Sequence, residues 1–574
     1  NKFKKQKKYE QEVYGAILPA DMELAGEMVK FFAKLAKTQE VETFVILAED
    51  HSSVDGDEKK NIVISGYDFL SGSSNLRVDN EIREELLKDN RFGEENYEVF
   101  SIIPELPKIL SLIYKSFPKH EEQATLAKES YSEILIITVS DDAEKTEIEA
   151  LASALAEIGK DKKILVMATT LFAQQNDSNV NKFHDELAED VILNFDGKGL
   201  EQIDADSRGA LGALFEYLDL VGAKKAEIIS HFWDNAQTDF LVKFGKGEAA
   251  EMDRNLTILA FGDMMLGRNV RTLIDKNGSL GYIFEKIKGY EGRFFEGADV
   301  VFGNLEGPIK GVGRKGGTAM VFAFNEDVAP FLKNSGFNML SITNNHALDQ
   351  GAEGRNTTIA ALDSAGLPWC GHPSDAEKES VSYGEVGDKK FAFVCFQDIT
   401  HNLDQARAVE LIKDLRDEVD YLIVSIHWGI EYKHQPAKDL QIQPAHEFID
   451  AGADFIIGHH PHVVQTFEIY NGKMIFYSLG NFVFDQYWSQ DTQEELAIGI
   501  VLDDGDDEVD SVENVGEMSE LATKVYLFPM RSDSSQSRLM IGEERTKWLE
   551  KFIGYGQYSE AVKTQIRDGL VEFP

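Results

Sequence analysis

The 574-residue sequence predicts an α/β protein made of two successive layered units, and three observations carry that reading. The first half alternates short apolar runs with stretches of helical periodicity, which is how strands and their crossover helices look in sequence. In the second half, five apolar runs each stop abruptly at residues able to bind a metal ion. Between the halves, residues 236–254 turn polar around Gly245-Lys-Gly247 and read as a linker, which sets the units at 10–235 and 255–574.

In the first unit, the runs 13–18, 43–48, 134–139, 163–168 and 191–195 are rich in Val, Ile, Leu and Phe and read as strands. Segments 22–37, 144–158 and 207–220 repeat apolar residues at helical spacing. In the second unit, the run 256–261 leads into Gly262-Asp263, and 298–302 into Gly303-Asn304-Leu305-Glu306. The run 337–342 leads into Thr343-Asn344-Asn345-His346, 421–426 into His427-Trp428-Gly429, and 454–457 into Gly458-His459-His460-Pro461-His462. Unbroken apolar runs mark strands of a parallel sheet covered on both faces. Ligands bind at the carboxyl ends of such strands, so five ends are expected to converge on one site. The acidic stretch 503–520 reads as a turn between late strands, since it lacks EF-hand ligand spacing. The tail beyond Gly542 reads as helical, with Trp548, Leu549 and Phe552 on one face.

The formal net charge of −42 argues against nucleic acid as a partner, because phosphates would be repelled. It argues equally against docking of the folded body on an anionic membrane. No stretch approaches the ~18 apolar residues that span a bilayer, so membrane attachment is expected only through an anchor absent from this chain. The chain begins Asn1-Lys-Phe-Lys-Lys-Gln-Lys-Lys8, a basic start that fits a juxtamembrane stub or a free terminus. Of the two cysteines, Cys370 and Cys395, the latter lies inside the apolar run 391–396 and reads by default as a buried free thiol, with a disulfide between the two as the alternative.

Carboxylate, amide oxygen and imidazole together suit first-row divalent ions such as Mn, Fe or Zn. The donors exceed what one ion needs, and two divalent metal ions bridged by a carboxylate would use them.

Six motifs in order, Gly262-Asp-Met-Met-Leu-Gly267, Gly303-Asn-Leu-Glu-Gly-Pro308, Thr343-Asn-Asn-His346, His427-Trp-Gly429, Gly458-His-His-Pro-His462 and Ser478-Leu-Gly-Asn-Phe482, resemble the CapA family. That family is associated with poly-γ-glutamate capsule synthesis and is similar to a branch of the calcineurin-like metallophosphoesterases. The resemblance covers about 255–531 and implies a four-layer αββα sandwich with a dinuclear site. It places Asp263, Glu306 (bridging), Asn345, His427, His460 and His462 as metal ligands, with His459 the alternative if the register shifts by one. His346 would be the general acid that protonates the leaving group. Asn304, Arg268, His459 and Asn481 are candidates for contacting substrate or supporting the ligands, and Lys310, Arg314 and Lys315 for holding an anion. Glu431, His434 and His446 read as parts of a solvated helix or loop. Two departures stand out: Met265 sits where the superfamily's first motif carries a histidine, and Glu306 where the second carries an aspartate.

In the first unit, Tyr14-Gly-Ala-Ile-Leu-Pro19 and Phe44-Val-Ile-Leu-Ala-Glu-Asp-His51 resemble the Memo-like family, also called AmmeMemoRadiSam system protein B. His120, with Glu121 and Glu122 beside it, matches a further histidine of that family. Pro19 is followed by Ala20 rather than His, and Ala168-Thr-Thr-Leu-Phe-Ala173 lacks the family's Asp and His. The resemblance therefore implies a degenerate domain kept for structure or binding, with His51 in a supporting role.

Together these readings predict an extracytoplasmic, metal-dependent hydrolase of the cell envelope acting on a phosphate ester or an anionic polymer. The alternative is a non-catalytic polymer-binding or assembly component that keeps the fold.

Overall fold

A computed structural model of the chain describes residues 12–20, 24–49, 60–66, 68–71, 74–95, 103, 105–117, 133–234, 236–250, 254–287, 290–310, 320–503 and 522–573. His51, His120, Glu121, Glu122, Arg314, Lys315 and nearly all of the acidic stretch 503–520 lie outside these residues. The chain divides into two compact units, Asn1–Gln174 with Ala188–Met252, and Gln175–Leu187 with Asp253–Pro574.

The first unit holds β1 (Val13–Pro19), β2 (Thr43–Glu49), β3 (Ile62–Ser65), β4 (Phe69–Ser71), β5 (Ser74–Leu76), β6 (Gly93–Glu95), β7 (Glu133–Val139), β8 (Ile164–Thr170), β9 (Lys225–Trp233) and β10 (Thr238–Gly245). Eight of them form one sheet in the order β6-β3-β7-β2-β8-β1-β10-β9, and β4 pairs with β5. The central strands β7, β2, β8 and β1 are parallel and almost wholly buried, as their unbroken apolar runs require. Phe31, Phe32 and Leu35 of the helix Ala25–Thr38 join Ile109 and Ile113 of Leu106–Ser116 in one core cluster with residues of this sheet.

Two expectations are corrected here. The run 191–195 is not a strand: its first three residues end the helix Ser178–Leu193, where Phe183, Leu187 and Val191 recur at helical spacing. A run as short as Val191-Ile-Leu-Asn-Phe195 carries no period of its own, so the longer pattern decides. The stretch 236–254 is not all linker, because it contains β10, which pairs with β1 and β9 and buries Phe240, Leu241, Val242 and Phe244. Its polar flanks hid that strand in the sequence.

The second unit begins with β11 (Leu256–Met264), β12 (Val300–Leu305), β13 (Met339–Ser341) and β14 (Trp369–Cys370), followed by β15 (Val381–Val386), β16 (Lys389–Gln397), β17 (Tyr421–His427) and β18 (Phe455–His459). It continues with β19 (Phe467–Tyr470), β20 (Lys473–Phe476), β21 (Asn481–Val483), β22 (Glu494–Asp503), β23 (Ala522–Asp533), β24 (Gln536–Leu539) and β25 (Leu570–Phe573). A nine-stranded sheet runs β14-β13-β12-β11-β22-β23-β24, with β21 added on β11 and β25 on β23. A six-stranded sheet runs β15-β16-β17-β18-β20-β19.

The two sheets face each other across one apolar cluster, in which Ile258, Ala260, Phe302 and Ile498 of the first meet Phe393, Cys395, Ile423 and Ile457 of the second. Trp548, Leu549 and Phe552 of the helix Gly542–Ile553 join that cluster. Helices cover the outer faces. Val270 and Ile274 of Arg268–Asn277 and Leu362 of Gly351–Ser364 pack on the nine-stranded sheet. Ile412 and Leu415 of Gln405–Arg416 and Phe448 of Gln443–Asp450 pack on the six-stranded one. The unit is thus a four-layer αββα sandwich.

Cys370 and Cys395 are joined in a disulfide, with Cα atoms 5.5 Å apart, so the expectation of a free thiol is corrected. Sequence spacing does not show that β14 of one sheet faces β16 of the other, at a separation a disulfide spans.

Candidate metal centre

All five predicted convergence points stand at the carboxyl ends of parallel strands, three in the nine-stranded sheet and two in the six-stranded one. In the nine-stranded sheet Asp263 of β11 is in register with Asn304 of β12 and Asn481 of β21. In the six-stranded sheet His427 of β17 is in register with His459 of β18. Glu306 follows β12, Asn345 and His346 follow β13, and His460 and His462 follow β18.

Glycine permits this closeness. A Cβ at Gly262 would lie 2.0 Å from the carbonyl oxygen of Gly480, and one at Gly458 would lie 2.0 Å from that of Tyr477. His460 and His462 adopt positive φ of 97° and 58°, sparsely populated for non-glycine residues, and the His462 ring faces Asp263 and Glu306 while the His460 ring faces His427.

Asp263 is fully buried and meets donors from every side. Asn304 Nδ2 donates to its Oδ1 at 2.8 Å, and the His460 amide donates to its Oδ2 at 3.2 Å. His459 Nδ1 lies 3.4 Å from Oδ1 and His462 Nδ1 3.6 Å from Oδ2. Burial pushes the Asp263 carboxyl up, but the imidazoles of His459, His427 and His462 outweigh it and hold the group below the usual carboxylate range. His427 Nε2 lies 2.8 Å from Asn345 Oδ1 and 3.1 Å from His460 Nδ1. Burial and the neighbouring His460 hold His427 well below the ordinary imidazole value. Burial and His462 bring His460 down to about 3. Neutral imidazoles are the form that binds cations.

Glu306 provides the test of whether the site fits a metal. It is wholly buried, and neither carboxylate oxygen has a hydrogen-bond partner among the described residues. His346 Nε2 and His462 Nε2 each lie 3.8 Å from its Oε1. Burial, then Asp263 and Glu431, push its carboxyl far up. A buried carboxylate without a donor is costly unless a cation completes it. The residues Asp263, Glu306 and His462 bring ligand atoms within 4.8 Å of one another, a span one ion can bridge.

The supporting residues are also in place. His462 Nδ1 lies 3.0 Å from Asn481 Oδ1, which holds the ring and leaves Nε2 facing Glu306. His346 Nδ1 lies 2.8 Å from Asp349 Oδ2 while its Nε2 faces Glu306, and its ring stacks on Phe322 at 3.9 Å. Arg268 pairs with Asp485 and lies 4.8 Å over the same Phe322. Lys310 pairs with Glu353 instead of facing the site. His434 and His446 serve structure, bonding to the Val464 carbonyl and Glu468.

Sequence reasoning missed three participants. Asn344 donates to Asn304 Oδ1 at 3.2 Å and to the Leu305 carbonyl at 2.9 Å, fixing the residue that fixes Asp263. Asp349 sits one turn beyond His346, a spacing that points to the contact. Glu431, read as solvated, comes within 4.8 Å of the ligand atoms of His460 and His462.

Fold and site together define a class: an αββα sandwich whose parallel strands end in a pocket of carboxylates, amides and imidazoles suited to divalent cations. The comparisons narrow it. A family profile described as bacterial capsule synthesis protein PGA_cap matches residues 257–486. The chain is 32% identical to the PGA biosynthesis protein CapA of Bacillus subtilis (strain 168), covering 44% of this chain and 70% of that protein. It is also 32% identical to the capsule biosynthesis protein CapA of Bacillus anthracis, covering 44% of this chain and 66% of that protein. This chain belongs to the PGA_cap family. Among solved structures, one described as a novel phosphatase from Mycoplasma pneumoniae is 14% identical, with a TM-score of 0.26 over 44% of this chain and 88% of that one.

Proposed function

We propose that this chain is a metal-dependent, phosphoesterase-type hydrolase that serves the synthesis or export of an anionic capsule polymer of the poly-γ-glutamate kind, outside the cytoplasm. The observation that carries the reading is Glu306, a buried carboxylate with no donor among the described residues, set between two imidazoles and beside Asp263. Asp263, Glu306, Asn345, His427, His460 and His462 would hold two divalent ions (Mn, Fe or Zn). Such ions, when bound, polarise a phosphoryl oxygen and lower the pKa of water.

The chain's own residues do the rest. Asn304 and the His460 amide hold Asp263 in place, and Asn481 holds His462. His346 is oriented by Asp349 and presents Nε2 to the pocket, where it gives its proton to the leaving oxygen. Phe322 stacks on that ring and keeps water from one of its faces. Asp263 and Glu306 would repel an anionic substrate, so cation loading must precede substrate binding. The disulfide between Cys370 and Cys395 supports an oxidising compartment. No described helix is long and apolar enough to cross a membrane.

The test is metal analysis combined with hydrolysis of p-nitrophenyl phosphate in added Mn²⁺. Bound metal and turnover are both expected, and both are expected to fall in Asp263→Ala and His460→Ala. If neither substitution changes metal content or turnover, the reading fails. Metal binding without ester cleavage would instead identify a non-catalytic polymer-binding or assembly component.

A further inference from the structure

We infer that Glu431 is a further cation ligand, closing a second triad with His460 and His462 beside that of Asp263, Glu306 and His462. The inference rests on the metal-binding reading above and assigns it one more residue.

The backbone puts Glu431 there. The loop after β17 is clamped to the loop after β18 at two points: the Trp428 amide donates to the His459 carbonyl at 3.1 Å, and the Tyr432 amide to the Pro461 carbonyl at 2.8 Å. Glu431 lies between these clamps and directly opposite the His460–His462 turn. The loop can bend this tightly because Gly429 takes a φ of 92°, where a Cβ would lie 2.5 Å from the Gln441 side chain. Tyr432, at a φ of 62°, lays its ring along His462 with centroids 6.1 Å apart. The loop is therefore packed against the site, not free in solvent.

The donors fit one coordination sphere. Ligand atoms of Glu431, His460 and His462 lie within 4.8 Å of one another, the same limit that holds for Asp263, Glu306 and His462. Donors bound at about 2.1 to 2.3 Å from one ion lie up to roughly 4.5 Å apart, so small side-chain adjustments suffice. An independent observation points the same way: Glu306, which faces this pocket, is wholly buried with both oxygens unpartnered among the described residues. A third carboxylate adds negative charge where Glu306 already lacks a donor, and a cation among them converts that repulsion into attraction. Met265, where the superfamily carries a histidine, packs in the apolar core with its sulfur 3.2 Å from the Gly267 amide.

The full chain, stripped by chelator and titrated with Mn²⁺ by calorimetry alongside elemental analysis, tests the assignment. Wild type is expected to bind about two equivalents and Glu431→Gln to weaken one of them about tenfold or more. Glu431→Asp, which keeps the charge, should weaken that equivalent less. The metal-free melting temperature of both variants should match wild type, since Glu431 is part-exposed. If Glu431→Gln binds both equivalents at wild-type affinity, the assignment is overturned while the metal reading stands. If wild type itself binds none, the metal reading falls and this assignment with it.

Discussion

The backbone amide of His460 donates to Asp263 Oδ2 at 3.2 Å, so the loop that closes one sheet of the sandwich is tied to a strand end of the other. That bond makes the pocket a property of both sheets, and a change at Asp263 is felt on either side.

Asp263→Ala is expected to abolish the rise in melting temperature that Mn²⁺ gives the wild-type chain. A ligand at a hundredfold excess over its Kd stabilises a protein by about 2.7 kcal/mol, which is readily seen in a thermal melt. An undiminished Mn²⁺-induced shift in the variant would remove Asp263 from the ligand set.

His346→Gln is expected to lower phosphate ester turnover by about 10² to 10⁴-fold while leaving metal content unchanged, because a proton donor is lost and no ligand is. Asp349→Asn should cause a smaller loss, since the Nδ1 contact at 2.8 Å sets the ring's orientation. A parallel loss of metal in His346→Gln would show the residue to be a ligand instead.

The double variant Cys370→Ala/Cys395→Ala should lose about 3.5 kcal/mol of stability, the loop-closure value for a separation of 25 residues. Chemical denaturation with and without reductant measures it. Wild type treated with reductant should converge on the variant.

Glu495 gives the fold a pH dependence away from the pocket. It is buried on β22, its Oε1 accepts from Ser537 Oγ at 3.2 Å, and its Oε2 has no partner among the described residues. Burial pushes its carboxyl well above the ordinary 4.5, and the Ser537 bond offsets this only in part. A folded-state value above the unfolded one means stability present at acid pH is lost as pH rises past 4.5. Glu495→Gln should therefore be more stable than wild type at pH 7, by about 1 to 3 kcal/mol, and indistinguishable from it near pH 4. Equal stability at both values would show that the group is ionised at no cost.

Gly262→Ala should destabilise the second unit by about 3 kcal/mol or more, because the new Cβ has only the Gly480 backbone to meet at 2.0 Å. A melting temperature within a degree or so of wild type would mean that the Gly480 turn yields easily.

Local pattern alone determined much of this protein. Runs such as 256–261 and 421–426 are apolar at all but one position, Thr257 in the first and Ser425 in the second, a pattern of strands covered on both faces, and the residue that ends each run marks its carboxyl end. Asp263, His427, His460 and His462 were legible for that reason. Tertiary structure decided what depends on neighbours distant in sequence. The Cys370–Cys395 bond needs two sheets face to face, β10 needs β1 and β9 as partners, and residues 191–193 follow the helix that precedes them. Glu431 is the sharpest case. Nothing in its immediate sequence separates it from a solvated loop, and it reaches the pocket only because two backbone hydrogen bonds pin its loop across from His460 and His462. Periodicity reports which face of an element is buried, whereas a site assembled from several elements is set by which faces the fold brings together.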